Sequence, residues 1–400
     1  MQIHQVATLL DQWAPQAYAE DWDNTGLLVG DASAQCSGIL IAHDSLERVV
    51  HEAVDRGCNL VVAFHPIVFK GIKKFTGKGH VERAVIAAIK NDVAIYAIHT
   101  ALDKNLPGVN TAMCKALGLT DIEVLIQEPK SLLKLTTYVP NNNPDTVDTV
   151  AAALYQAGAG HIGKYADCSF REDAGYLVTS LSRKRDAASS MSAENNDVKR
   201  DTGTGTFTPQ AESNPAVGSI GSPEDVTETK LSVLVPMHKK SAVQRALESS
   251  HPYETVAHEW VLTENKWQDK GMGAVGNLTK PMSTEAFLQL AKETFQAGAL
   301  RYAPSLDSGP DTISRVAVLG GSGVFAAGAA RAAGAQVLVT GDLKYHDFFG
   351  ADENLVLCDV GHYESERHTC ELIHAYLVDK ISTFAILLSH TNTNPVNYLN

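Results

Sequence analysis

The sequence lacks the features that mark several broad classes of protein. No apolar run reaches the roughly 18 residues needed to cross a bilayer, and the first residues, MQIHQVATLLDQWAP, contain no basic segment followed by an apolar core, so we expect no signal peptide. The six cysteines form no Cys-x-x-Cys pair, which favours reduced thiols in a cytoplasmic protein. Positive charge is also scarce, since the net charge is −13, and this argues against binding to nucleic acid or to an anionic membrane.

The composition that is present is typical of a globular protein with more than one domain. The chain has 400 residues, of which 44% are hydrophobic and 20% are charged, and this length predicts two or three domains. In the first third, the apolar stretches GILIAHD (38–44), NLVVAF (59–64) and VAIYAIH (93–99) alternate with amphipathic stretches at 45–57 and 80–91. Unbroken apolar strands separated by helices predict a parallel sheet that is covered on both faces.

The last third repeats this α/β pattern, whereas the middle of the chain departs from it. In the last third we predict a helix over 364–380 and the strands RVAVLG, QVLVTGD, NLVLCDV and FAILLS. In the middle, KLTTYVP (134–140) and KLSVLVP (230–236) each precede a predicted helix and share the pattern Lys-Leu, three residues, Val-Pro. We interpret them as a duplicated β-α-β unit and hence as a ferredoxin-like domain, although two short strands can also resemble each other by chance.

These patterns predict a domain inserted into an α/β domain. The α/β domain would be formed by residues 1–128 and 266–400, and the inserted domain by residues 129–265. Within the insertion, residues 171–205 are polar and poor in apolar side chains, which predicts a disordered surface loop.

Histidines and carboxylates follow several of the predicted strands. His65 lies in AFHPIVF, His99 and Asp103 lie in YAIHTALD, and His362 and Glu366 lie in DVGHYESER. We expect them at one edge of a single parallel sheet, where open α/β sheets bind ligands, with the last two on one helical face because they are four residues apart. Any one histidine alone could be a hydrogen-bonded residue at a strand end, but together the set predicts a site for zinc, manganese, iron or nickel.

Three further segments carry polar side chains whose role the sequence leaves open. Asp342 and His346, in LVTGDLKYHDFF, could orient a metal ligand, act as a general base or contact a substrate, and Asp342 could equally cap a helix. The glycine-rich LGGSGVF (319–325) is either an anion-binding turn or a plain tight turn. The cluster EDWDNTGLLVG (20–30) either lines a pocket or is a structural turn with a packed tryptophan.

Taken together, these motifs resemble the Nif-three-like family, whose members are often named GTP cyclohydrolase 1 type 2 homologues. The resemblance in the outer thirds is carried by AEDWDNTGLLVG, VVAFHPIVF, YAIHTALDKNLPGVN, LGGSGVF, VTGDLKYHD, DVGHYESER and HTNTNPVNYL. The middle is similar to the extra domain of the longer members, which is PII- and CutA-like, through AGAGHIGKYADCSF, TGTGTF and SSHPYETVAHEW.

The resemblance implies a toroidal homohexamer with a two-metal site inside its cavity. The implied metal ligands are His65, Asp103, His362 and Glu366. The family usually has His-His-Pro where this chain has a phenylalanine, Phe64, before the histidine. Since a phenyl ring has no donor atom, we expect one or two metal ions per subunit, with fewer than two bound tightly unless another residue, first His99 and then His346, replaces the missing imidazole.

Two interpretations of function follow from the resemblance and the residues. In the first, the protein is a metal-dependent hydrolase that acts on a nucleotide-like or phosphoester substrate through a metal-bound water, with His99, Asp342 and His346 as candidate catalytic residues. In the second, it is a non-enzymatic metal-binding regulatory or scaffold protein whose inserted domain senses a small ligand or a partner.

Overall fold

The computed structural model describes residues 1–140, 143–172, 203–304 and 308–399. These residues form two compact units, one made of Met1–Glu128 with Gln268–Asn400 and the other of Pro129–Trp267. Both units combine helices with β-sheets, so the predicted α/β class is confirmed. Among the described residues, no helix has the length and apolar character that a membrane span requires.

The helices and strands are numbered along the chain. The strands are β1 (Gly26–Val29), β2 (Gly38–Ala42), β3 (Leu60–Ala63), β4 (Ala94–Ala97), β5 (Leu119–Gln127), β6 (Leu132–Pro140), β7 (Ser169–Glu172), β8 (Thr204–Phe207), β9 (Glu224–Pro236), β10 (His258–Leu262), β11 (Gly271–Ser283), β12 (Arg301–Ala303), β13 (Thr312–Ser322), β14 (Val337–Gly341), β15 (Val356–Asp359) and β16 (Ala385–Leu388). The helices are α1 (Ile3–Trp13), α2 (Glu47–Asp55), α3 (His80–Lys90), α4 (His99–Asp103), α5 (Val109–Ala116), α6 (Pro144–Gln156), α7 (Lys240–Ser250), α8 (Thr284–Phe295), α9 (Ala327–Ala332), α10 (His362–Glu366) and α11 (Thr369–Lys380).

The first sheet of the larger unit has the strand order β1-β4-β3-β2-β16. Its strands pair in parallel except β1, which is antiparallel to β4. Every residue of β2, β3 and β4 is buried, because side chains of α1 and α11 pack on one face and those of α2 and α3 on the other. Burial on both faces is the reason these strands are continuously apolar in sequence.

The second sheet of the same unit has the strand order β12-β15-β14-β13-β11-β5. Only its centre, β13-β14-β15, is parallel, and the outer pairs are antiparallel. One face packs against apolar side chains of α5 and α8, and the other packs against those of α9.

Two expectations about the larger unit are corrected by this arrangement. The strands that precede the candidate ligands do not share one sheet edge: β3 and β4 belong to the first sheet, and β14 and β15 belong to the second. The helix expected over 364–380 is two helices, α10 and α11, separated by a turn at Arg367 and His368, both of which keep right-handed helical backbone angles. The first of the two begins at His362, so this histidine and Glu366 lie one helical turn apart, as predicted.

The smaller unit contains a four-stranded antiparallel sheet in the order β10-β6-β9-β7, and β8 also pairs with β9. Helices α6 and α7 supply apolar side chains to its core. Residues 173–202 of the loop predicted over 171–205 lie outside the described residues. Its two ends contradict the prediction, since 171–172 complete β7 and 204–205 begin β8.

The segment after β16 is held to helix α2 by one partly buried carboxylate. Glu52 of α2 accepts hydrogen bonds from the Ser389 hydroxyl (2.6 Å), the His390 amide (2.8 Å) and the Thr391 hydroxyl (2.7 Å), and it pairs with Arg56 at 2.7 Å. Burial opposes its ionisation, but these donors lower the pKa of Glu52 from 4.5 to about 2.

Replacing Glu52 by glutamine should lower the free energy of unfolding by about 1–3 kcal/mol at pH 7, because an amide cannot accept all of these hydrogen bonds. The pKa of Glu52 is lower in the folded state, so its contribution is present above pH 4.5 and is lost as the pH falls towards about 2. Urea denaturation at several pH values measures both effects. The matched control is Glu47→Gln on the same helix, since the Glu47–Arg83 pair is exposed and should contribute less than about 1 kcal/mol. Equal losses in the two variants would contradict the prediction.

Candidate metal centre

A single carboxylate oxygen lies at the middle of the candidate site. The Oε2 atom of Glu366 is 3.1 Å from Nε2 of His43, 3.4 Å from Nε2 of His65 and 3.3 Å from Nε2 of His362. His43 follows β2 and His65 follows β3 in the first sheet, whereas His362 and Glu366 lie on α10, which follows β15 in the second. The site is therefore built where the carboxyl ends of strands from two sheets of the same unit meet.

Each of these imidazoles is held from behind by an aspartate. The Nδ1 atom of His65 is 2.9 Å from Asp44 Oδ1, and the Nδ1 atom of His43 is 3.3 Å from Asp44 Oδ2. On the other side of the site, Nδ1 of His362 is 2.6 Å from Asp342 Oδ2. An aspartate that accepts the Nδ1 proton leaves the Nε2 lone pair for a metal ion, which is the usual arrangement around metal-binding histidines.

Three buried polar atoms at this point lack a hydrogen bond within the described chain. They are Nε2 of His43, Oε2 of Glu366 and Oδ1 of Asp103, so the short contacts around Glu366 have the separation of hydrogen bonds but not their direction. Buried polar atoms are rarely left unpaired. Donor atoms that surround a tetrahedral zinc ion at about 2.0–2.1 Å lie about 3.3–3.4 Å from one another, close to the separations seen here. The donor set therefore fits a divalent cation.

The electrostatics of the centre also favour a cation. Burial would raise the pKa of Glu366, but contacts with the three histidines hold it well below its ordinary value. Burial lowers the pKa of His65 and His362, yet the neighbouring carboxylates raise them to about 10 and about 9. Protons thus occupy both imidazoles at neutral pH in the metal-free protein, and they must leave when a metal binds.

Asp103 and His99 reach the same region from α4. Burial and the nearby charge of Glu366 raise the pKa of Asp103 well above its ordinary value, so a cation beside this carboxylate would favour its ionised form. The ring centre of His99 is 5.2 Å from that of His65, and its Nδ1 is 2.8 Å from Asp23 Oδ1. The structure thus places all four sequence-predicted ligands in one region, together with His99.

Of the other sequence candidates, one lies at the site and one does not. Asp342 contacts His362 directly, as described above, so its geometry suits an orienting role rather than a helix cap. His346 lies in the turn Tyr345–Gly350, where its ring packs against Tyr345 and Phe349 with centres 5.2 Å and 6.1 Å apart. Among the described residues, two groups of side chains could hold a metal ion, His43 with Asp44 and His65, and His65 with His362 and Glu366, and His346 belongs to neither.

His43, Asp44 and the partner of His99 were not predicted from the sequence. Both His43 and Asp44 stand directly after an apolar strand, in GILIAHD, which is the same signal that identified His65. Asp23 belongs to the cluster EDWDNTG, whose role was open. Its carboxylate accepts hydrogen bonds from His99 and from the hydroxyl and amide of Thr100, so this cluster supports the site from behind.

The glycine-rich segment LGGSGVF has a packing role. Residues 320 and 321 lie within β13, and their amides donate to the side chains of Asn110 (3.1 Å) and Ser365 (2.9 Å). A Cβ atom at Gly321, where φ is +68°, would lie 2.6 Å from Oε1 of Glu366. The absence of a side chain therefore makes room for the central carboxylate, and these amides are not available to cradle an anion.

A cavity of about 510 Å³ opens beside the centre. His43, His65 and His362 form part of its wall, and Arg301 and Tyr363 form another part. This volume is sufficient for a small molecule of nucleotide size.

Comparison with known proteins places the whole chain in one family. The family model Duf34/NIF3 (NGG1p interacting factor 3) matches residues 1–395. A protein of Halalkalibacterium halodurans named GTP cyclohydrolase 1 type 2 homolog is 34% identical over 98% of both chains, and a Bacillus subtilis protein of the same name is 33% identical over 99% of this chain and 98% of its own.

A solved structure supports the same relationship. The crystal structure of a Bacillus cereus protein related to NIF3 is 30% identical, has a TM-score of 0.79, and covers 100% of this chain and 99% of its own. The resemblance predicted from the sequence is therefore confirmed, and this chain belongs to the Duf34/NIF3 family.

Proposed function

We propose that this protein is a divalent-metal-dependent hydrolase of a nucleotide-like or phosphoester substrate. The observation that carries the proposal is the set of three imidazole Nε2 atoms within 3.4 Å of Glu366 Oε2. His65, Asp103, His362 and Glu366 would hold the metal, with zinc, manganese, iron and nickel as candidates. A bound divalent ion supplies an activated water at neutral pH and neutralises charge on a substrate oxygen.

The chain itself provides the groups that would bind and orient such a substrate. Arg301 lies on the cavity wall with its side chain 57% exposed, and Asp359 holds the guanidinium by an ion pair. A guanidinium fixed in this way suits a phosphate group. The ring of Tyr363 lies on the same wall and offers an apolar face to a base or sugar.

Proton transfer would use His99, which lies beside the candidate ligands. His99 has Nδ1 engaged by Asp23, so its Nε2 can accept a proton, and we propose it as the general base. Asp342 would position His362 rather than take part in proton transfer.

The test is multiple turnover by the purified, zinc- or manganese-loaded protein. The substrates are GTP, other nucleotides and nitrophenyl phosphoesters, and Glu366→Gln purified in parallel reports contaminating phosphatases. Turnover that exceeds the enzyme concentration and disappears in the variant supports the proposal. Tight metal binding without turnover on any substrate would overturn it.

That outcome would favour the second function, a metal-binding regulatory protein. One observation supports this alternative: the smaller unit has its own cavity of about 300 Å³, lined in part by Phe207, Glu228 and Tyr253. Among the described residues, the elements of this unit follow the order β6-α6-β7-β8-β9-α7-β10, and the sheet order is β10-β6-β9-β7. This order supports the proposal of a ferredoxin-like, PII- and CutA-like domain over 129–265, in which the cavity would bind a small regulatory ligand.

We also propose a homo-oligomer, most simply the hexamer that the family resemblance implies. Large exposed aromatic rings such as Tyr345 and Phe349, which are 74% and 72% exposed, are consistent with surface that a second copy covers. Light scattering at micromolar concentration tests it, and a monomer mass would refute it.

A further inference from the structure

His43 has no assigned role in the ligand set of the proposed function, yet it is buried at its centre. Its side chain is 5% exposed, and its Nε2 atom faces Glu366 Oε2 at 3.1 Å without a hydrogen bond to the described chain. We propose that His43 is a metal ligand that completes a second cation position beside the first, with Glu366 shared between the two. This inference rests on metal binding as set out under the proposed function, but not on hydrolysis.

A structural role does not account for this geometry. A buried histidine that only supports a core has both ring nitrogens hydrogen-bonded, as His251 does: its Nε2 is 3.0 Å from the Tyr138 carbonyl and its Nδ1 accepts from the Tyr253 amide at 3.1 Å. When His43 donates its Nδ1 proton to Asp44, the Nε2 lone pair points towards a carboxylate oxygen. A cation that binds here would be coordinated by both atoms, which lie 3.1 Å apart.

The position of His43 in the sheet explains why this chain does not need a histidine at 64. Strands β2 and β3 pair in parallel with Ala42 opposite Ala63, so the next residues, His43 and Phe64, are lateral neighbours. Phe64 is fully buried, and its ring centre lies 5.6 Å from that of His43 and 5.1 Å from that of His65. Its phenyl ring therefore fills the space beside the centre, while the imidazole comes from the adjoining strand.

Asp44 couples the new ligand to an expected one. Its two oxygens accept from Nδ1 of His43 and Nδ1 of His65, and the two rings stand edge to face with centres 4.6 Å apart. One carboxylate therefore directs two Nε2 atoms towards Glu366. Although Asp44 itself lies close enough to be a ligand, we assign it as a positioning residue because both oxygens are already engaged by imidazoles.

The two positions then share the available donors. His65, His362 and Glu366 form one group with donor atoms within 4.8 Å of each other, and His43, Asp44 and His65 form a second. The residue that the two groups share is His65, and Glu366 belongs only to the first. Its Oε2 atom nevertheless lies 3.1 Å from Nε2 of His43 as well, so this carboxylate is placed to be shared, as in two-metal sites with ions about 3.5–4 Å apart. This proposal predicts two tightly bound ions, whereas Phe64 alone predicts fewer than two, and the zinc stoichiometry decides between them.

The experiment is zinc stoichiometry by elemental analysis after chelator treatment, reloading with zinc alone and equilibrium dialysis. We expect about two zinc ions per chain in the natural protein and about one in His43→Leu. The double variant His43→Leu with Phe64→His returns the imidazole to the neighbouring strand and should regain the second ion. His251→Leu removes a buried histidine outside this unit and should leave the stoichiometry unchanged.

Two results would overturn the proposal: fewer than two ions in the natural protein, or two ions retained in His43→Leu. If the leucine variant does not fold, anomalous diffraction at the zinc edge on the natural protein decides, because a peak about 2.0–2.1 Å from His43 Nε2 is required and its absence refutes the assignment. Failure of hydrolysis with two ions bound would overturn the proposed function and leave this inference intact.

Discussion

Glu366→Gln should lower zinc affinity by at least about 100-fold, because this one carboxylate faces all three imidazoles. Loss of groups that merely orient a ligand costs about 10–100-fold, so loss of the shared anion should cost more. Glutamine keeps the volume of the side chain but removes its negative charge. One carboxylate oxygen becomes an NH₂ group, which cannot bind a cation. Competition with a fluorescent zinc chelator measures the change directly.

The matched control for this variant is Glu364→Gln on the same helix. Glu364 is also buried, but its carboxylate accepts a hydrogen bond from Asn394 at 3.1 Å and it belongs to neither group of potential metal ligands, so its variant should retain the metal. Zinc should also raise the melting temperature of the natural protein and of Glu364→Gln but not that of Glu366→Gln, since a ligand stabilises only the fold that binds it. Unchanged metal content in Glu366→Gln would remove Glu366 from the ligand set.

Sequence patterns identified the local parts of this site because each part lies on one short segment. His362 and Glu366 are four residues apart, which fixes their relation once the segment is helical. His65 follows a strand whose continuous apolar character already marks it as buried on both faces. These features need no knowledge of distant residues.

The assembly of the parts was not predictable in the same way. The sequence suggested one sheet edge, whereas the centre joins the ends of β2 and β3 in one sheet to α10 beyond β15 in another. Contacts between residues such as His43 and Glu366 depend on how the two sheets pack, and no periodicity in either segment encodes that packing. The sequence alone shows His43 only as a polar residue at the end of an apolar strand.

In the smaller unit too, some strands are predictable from their own sequence and others depend on distant residues. Strands β6 and β9 contain buried apolar positions, and their sequence pattern predicted them. Strand β7, with the sequence SFRE, is exposed at every position, so hydrophobic alternation gives no signal there. It forms because its backbone pairs with β9, which is a long-range interaction.

Asp44→Asn should weaken zinc binding more than Asp342→Asn, even though each variant replaces one aspartate by its amide. Asp342 holds one imidazole, that of His362, and its own side chain is 54% exposed, so water can replace part of its role. We expect a loss of about 10-fold for this variant, the lower end of the range for groups behind a metal ligand.

Asp44 holds two imidazoles, one on each oxygen, and asparagine offers only one acceptor. The imidazole that faces the new NH₂ group must accept at Nδ1, which moves its proton to Nε2 and blocks coordination. Either His43 or His65 is therefore lost as a ligand, and we expect affinity to fall about 100-fold or more, with the zinc content dropping towards that of His43→Leu. The same chelator competition compares the two variants. Equal or reversed losses would mean that Asp44 does not direct both rings, and that the two histidines reach the metal by packing alone.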